Sequence, residues 1–132
     1  MTIPLWCLLG GVILPYVWAA ASVPFRNKQL GSLDLEQPRL QAAELTAGGA
    51  GAWGAQMNQW EALAVFMAAT LAAYMQGVDP GGNWALASLI WLAARVAHGT
   101  FYVLGNAVLR VAGFVVGTVM SIWIFVMAIL AG

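Results

Sequence analysis

Apolar positions along the chain fall into four long runs separated by three polar intervals. Residues 3–23 carry no charge, and about 20 apolar residues suffice to cross a hydrocarbon core of roughly 30 Å. A first membrane helix is therefore expected there, followed by spans at about 52–75, 84–104 and 111–131. The pattern predicts an all-α integral membrane fold, a four-transmembrane-helix bundle in one domain over 1–132, with 24–51 as its aqueous loop.

Breaks inside the runs refine this picture. Pro4 sits near a helix start and is harmless, whereas Pro15 lies inside the first run and must bend the helix or free a carbonyl for a neighbour to satisfy. Ala19-Ala20-Ala21 resembles a leader-cleavage site, but no Lys or Arg precedes the apolar run, so the run is expected to remain a span. Trp6, Tyr16 and Trp18 suit membrane interfaces or helix contacts. In the loop, Asn27 to Pro38 is turn-rich, Arg39 to Ala47 suits a short surface helix, and Gly48-Gly49-Ala50-Gly51 reads as a flexible joint. Asp79-Pro80-Gly81-Gly82 is a tight turn, so the second and third spans form an antiparallel hairpin. Gly113 and Gly117 in the fourth span either let another helix approach closely or are merely tolerated there.

Composition agrees: 62% of residues are hydrophobic and 8% charged, against roughly 25% charged in soluble domains. Five Lys/Arg balance five Asp/Glu, which argues against nucleic acid as a partner. Cys7 has no partner cysteine in the chain and reads as a small buried hydrophobe, since nothing nearby would activate its thiol. Arg26, Lys28, Arg39 and Arg110 fall at the end shared by the first and third connections, and the second connection has no Lys or Arg. By the positive-inside rule that end is cytoplasmic and both termini lie on the non-cytoplasmic side.

Polar residues inside the runs carry the candidate chemistry. Arg95, His98 and Tyr102 are spaced i, i+3, i+7 and share a helix face, as do Asn58 and Glu61. At about 1.5 Å per residue, Asn58 lies about 9 Å and Glu61 about 13 Å from the cytoplasmic end of the second span; His98 and Arg95 lie at the same two depths in the third. A Glu61–Arg95 pair with Asn58 facing His98 is expected, within one chain or across a subunit boundary. Such a set is either helix-locking glue or a binding site. Tyr102 and Arg110 favour a site, because they add a second cation to one deep carboxylate and suit an anionic ligand. One His and one distant Cys supply too few ligands for a transition metal, and Ser121 and Asp79 are too far apart for a Ser-His-Asp arrangement.

Two motifs, in this order on a four-span background, are similar to those of the membrane-associated proteins in eicosanoid and glutathione metabolism, the MAPEG family of microsomal glutathione transferases and leukotriene C4 synthase. Gln56-Met-Asn-Gln-Trp-Glu61 resembles the family's Asn-x-x-Glu, and Arg95-x-x-His98-x-x-x-Tyr102 followed by Arg110 resembles its third-helix signature. The opening Leu5-Trp-Cys-Leu-Leu to Leu14-Pro-Tyr-Val-Trp is closest to small bacterial members, implying a bacterial inner membrane. The resemblance implies a homotrimer with sites at the subunit boundaries, glutathione as co-substrate, and a lipophilic electrophile entering from the bilayer. Asn58, Glu61, Arg95 and His98 would bind glutathione, Tyr102 would orient it, and Arg110 would stabilise its thiolate. Where the family carries arginines four and seven residues before the Asn, this chain has Gly54 and Gly51; Arg39, 19 residues before Asn58, does not share their register.

Three functional classes follow: a glutathione-dependent transferase or peroxidase, a non-catalytic accessory subunit or lipid-binding scaffold of a larger membrane complex, and a small exporter. The exporter class normally has a Glu in its first span, and residues 3–23 contain none.

Overall fold

A computed structural model describes all 132 residues, which form five helices and their connections, without strands. They are α1 (Ile3–Leu30), α2 (Pro38–Ala43), α3 (Ala47–Met75), α4 (Asn83–Val103) and α5 (Ala107–Ala131). Three of them, α1, α4 and α5, are long and apolar enough to cross a membrane. The fourth long helix, α3, is diluted by glycines, Gln56, Asn58, Gln59 and Glu61.

Burial follows the logic of a membrane protein. Val12, Ile13, Leu71, Val115, Ile122 and Ile129 face outward, while Gln59, Ser88, Arg95, His98 and Ser121 are buried. With lipid outside, apolar surface gains nothing by hiding, and polar side chains must find partners between helices. At the core Phe66 stacks on Trp91, with ring centroids 3.8 Å apart.

Boundaries differ from the expected loop in an instructive way. The helix α1 continues past residue 23 and through Pro24 to Leu30, and α3 starts at Ala47, so the loop shrinks from 24–51 to the connection around α2. At about 1.5 Å per residue α1 is about 42 Å long, longer than the roughly 30 Å core, and its last turns carry Arg26 and Lys28. The expected flexible joint at Gly48 to Gly51 is regular helix. Intrinsic glycine cost is overridden there by packing: a Cβ at Gly48 or Gly49 would lie 2.8 or 2.9 Å from the Phe25 side chain.

The shortened loop is held by side chains. Arg26 Nε donates to Ser22 Oγ at 3.2 Å, and its Nη1 donates to Pro38 O at 2.7 Å and Gln41 Oε1 at 3.0 Å. Gln29 ties the start of α3 to the end of α1, accepting from Thr46 N at 3.0 Å and donating to Thr46 O at 3.2 Å. At the other connection, Gly105 takes φ 75° and Asn106 Oδ1 accepts from Leu109 N at 3.1 Å, capping α5. Arg110 thus sits in the first turn of α5, ahead of the expected start at 111.

The glycines of α5 face α4 of the same chain. A Cβ at Gly113 would lie 2.9 Å from Ala94 O, and one at Gly117 would lie 3.1 Å from Arg95 Cδ. These glycines therefore serve close packing, and they bring α5 against the polar face of α4.

Candidate functional site

The site grows from a missing hydrogen bond. Pro15 has no N–H to give to the carbonyl of Gly11, four residues earlier, and Gln59 Nε2 of α3 donates to that carbonyl at 3.2 Å. Gln59 Oε1 in turn accepts from Arg95 Nε at 2.8 Å. Arg95 Nη2 donates to Asn58 Oδ1 at 2.8 Å, and Asn58 Nδ2 donates to Glu61 Oε2 at 3.2 Å. One chain of bonds therefore links α1, α3 and α4. Arg95 is 1% exposed and Gln59 0%, so each depends on the other for the partners that water would supply.

Within one chain, two sequence expectations are corrected by this geometry. The guanidinium of Arg95 bonds the amides of Gln59 and Asn58, and the carboxylate of Glu61 is reached only through Asn58. Three residues along a helix leave Glu61 about 60° further round α3 than Asn58, and there it is exposed. His98 does not meet Asn58 either. Its Nδ1 lies 2.9 Å from Arg110 O on α5, and since a carbonyl only accepts, Nδ1 carries the proton in that bond. The other ring nitrogen, Nε2, is buried without a partner.

His98, Tyr102 and Arg110 form a second cluster nearer the Arg110 end. The His98 and Tyr102 rings meet edge to face at 5.6 Å, and the Arg110 guanidinium lies 4.5 Å from the Tyr102 ring centroid. Arg110 makes no side-chain hydrogen bond in the fold, so the fork is held by the ring and its donors stay available. Beside it lies a cavity of about 420 Å³ lined by Gly51, Trp53, Gly54, Tyr102, Asn106 and Arg110. A separate cleft of about 230 Å³ runs past Asn58, Glu61, Trp91, Phe114 and Ser121.

Gly51 and Gly54 define how the cavity is built. A Cβ at Gly51 would collide with the Tyr102 carbonyl, and one at Gly54 would lie 2.6 Å from Tyr102 Cζ. Without side chains there, α4 settles onto α3 and the tyrosine occupies the volume that longer residues would fill. The six residues expected from sequence thus fall in two clusters, Asn58, Glu61 and Arg95 in one and His98, Tyr102 and Arg110 in the other. Gln59, the hub, is not among those six; its only sequence signal is the carbonyl that Pro15 must release.

Comparison with curated proteins returns no match. The profile of the MAPEG family matches residues 3–130, nearly the whole chain, and includes every side chain of both clusters. The chain belongs to the MAPEG family.

Proposed function

We propose that the protein is a glutathione-dependent transferase or peroxidase of lipophilic electrophiles. The observation that carries this reading is the free Arg110 fork over Tyr102 at a cavity of about 420 Å³. A thiol bound there with its sulfur at Arg110 meets a fixed cation, which favours the ionised, nucleophilic form. The Tyr102 hydroxyl is a donor for the same sulfur, Asn58 and Glu61 offer polar contacts from the separate cleft, and the buried Arg95 and His98 act indirectly, Arg95 by holding Asn58 and His98 by bonding the Arg110 carbonyl. In conjugation the thiol proton leaves to water, the thiolate sulfur bonds the electrophilic carbon, and the leaving group departs with the electron pair. A bilayer-embedded site suits an electrophile that partitions into lipid.

In this reading α3 completes a bundle of four crossings in a bacterial inner membrane, with the Arg26 and Arg110 ends of the helices cytoplasmic and both termini on the opposite side. Glu61 supports assembly with further copies of the chain, which the family resemblance makes a homotrimer. It is exposed on α3 beside Val65, with which it lines the open cleft, and a carboxylate in that setting costs about 2.5–3.5 kcal/mol unless covered or paired. A neighbouring copy laid on α3 would shield it and enclose the open cleft at Asn58.

The purified protein is expected to bind glutathione at millimolar concentration, to show thiolate ultraviolet absorbance, and to conjugate a hydrophobic halonitroarene. Arg110→Ala is expected to abolish the thiolate signal and lower turnover by about 10²-fold or more. A wild-type protein that neither binds glutathione nor ionises it would overturn the proposal.

A second reading, a non-catalytic accessory subunit or lipid-binding scaffold, is favoured by Gly51 and Gly54. With Tyr102 seated on both, the chain lacks the two charge-assisted clamps expected there, each worth about 1.5–3 kcal/mol. A heteromeric mass after gentle solubilisation, together with absent thiolate, supports this reading over the first.

A further inference from the structure

We infer that the cleft between α1, α2 and α3 is a seat for the phosphate group of an anionic membrane lipid. The cleft holds about 450 Å³ and is lined by Ser22, Arg26, Arg39, Trp53, Gln56 and Trp60, with apolar side chains between them. It is a different face of α3 from the one that carries Asn58 and Glu61, and the inference does not rest on the glutathione reading.

Arg26 is the central observation. It is only 6% exposed, and its hydrogen bonds go to a hydroxyl, a backbone carbonyl and a glutamine amide, all neutral acceptors. A buried cation normally has a counter-charge, because neutral dipoles offset only part of the lost hydration. No carboxylate lines this cleft; a second cation, Arg39, does. Arg39 is exposed and takes no part in holding the loop. The acids of the same loop, Asp34, Glu36 and Glu44, line a separate depression on its other side. The loop therefore presents Arg39 to the cleft and its acids to a different depression.

Charge alone would accept any anion, and the surroundings select a lipid. The cleft lies where α1, longer than the hydrocarbon core, emerges with its basic residues, a level at which headgroup phosphates sit. Trp53 and Trp60 are rings of the kind that occupy this level, apolar in body with one N–H donor. Leu35 of the same loop is 83% exposed, as expected of a segment lying against the membrane surface rather than in water. Arg26 would hold the phosphate from beneath and Arg39 from the rim, leaving the acyl chains to run along α1 and α3.

The test uses the full-length protein in a mild detergent, offered dioleoyl phosphatidylglycerol, dioleoyl phosphatidylcholine or inorganic phosphate, with native mass spectrometry reading the adducts. Phosphatidylglycerol is expected to be retained over phosphatidylcholine, and Arg39→Gln to weaken that retention about fivefold. Arg26→Gln is expected to lose it altogether. Because that change also loosens the loop, the discriminating variant is Arg39→Gln, where the side chain replaced bonds nothing in the fold. Equal retention of both lipids, or unchanged retention in Arg39→Gln, overturns the inference. Displacement of the lipid by equimolar inorganic phosphate would identify a free anion as the ligand, and displacement by glutathione would assign the cleft to the thiol; both overturn it.

Discussion

Gln59 is the residue on which the buried polar network turns. It satisfies the carbonyl released by Pro15 and one edge of Arg95 at once, so Gln59→Ala strands both. A hydrogen bond to a charged group contributes about 1.5–3 kcal/mol and a neutral one about 1, and a loss of about 2–4 kcal/mol is expected in denaturant unfolding in detergent micelles. Glu61→Gln provides the contrast. Glu61 only accepts from Asn58 and is exposed, and glutamine can still accept, so its stability change is expected to stay within about 0.5 kcal/mol. A direct Glu61–Arg95 ion pair would reverse that order, because breaking a buried pair costs about 3–5 kcal/mol. Spacing and depth in the sequence put Glu61 level with Arg95 and Asn58 level with His98, but the choice of acceptor depended on a rotation of about 60° around α3 that periodicity does not resolve.

Between elements, close approach is governed by glycine. Gly51 meets the backbone of Tyr102, which cannot yield, whereas Gly54 meets the end of its ring, which can swing aside. Gly51→Ala is therefore expected to cost more than Gly54→Ala in thermal unfolding, by about 1–3 kcal/mol. Gly54→Ala is expected instead to move the ring from under Arg110, detected as altered tyrosine absorbance with the fold intact. Gly99, inside the motif that carries the candidate site, plays a similar part: its missing Cβ leaves the space that the Trp18 ring of α1 occupies. Glycines in α3 signal a joint when read along the chain, and they become helix because Phe25, Leu45 and Tyr102 fill the space they leave. Local propensity amounts to about 1 kcal/mol per glycine, less than the packing those side chains recover.

For the whole molecule, the distribution of charge and exposed surface sets two expectations. An oligomer mass after gentle solubilisation is expected from the exposed α3 face around Glu61, that of a homotrimer under the proposed reading; a stable monomer would leave that carboxylate in lipid and count against the assembly. Orientation is open to labelling: a single cysteine at Gln37, exposed beside α2, is expected to react with an impermeant maleimide only from the cytoplasmic side. Cys7 is 2% exposed in the core and should stay silent in that experiment.

The amino-acid sequence by itself determined the class of solvent, the number and order of the long helices, the family, and the residues that gather at α3 and α4, because hydropathy and helical spacing are properties of consecutive positions. Tertiary structure alone decided that α1 runs on through Pro24, that Gln59 and Asn58 hold Arg95 in place of Glu61, that Tyr102 covers Gly51 and Gly54, and that Arg26 is buried without a counter-charge. Each of these is settled by which side chain reaches a given atom across a helix contact. That depends on helix rotation and on volumes left empty by glycine, quantities that exist only once the helices are packed.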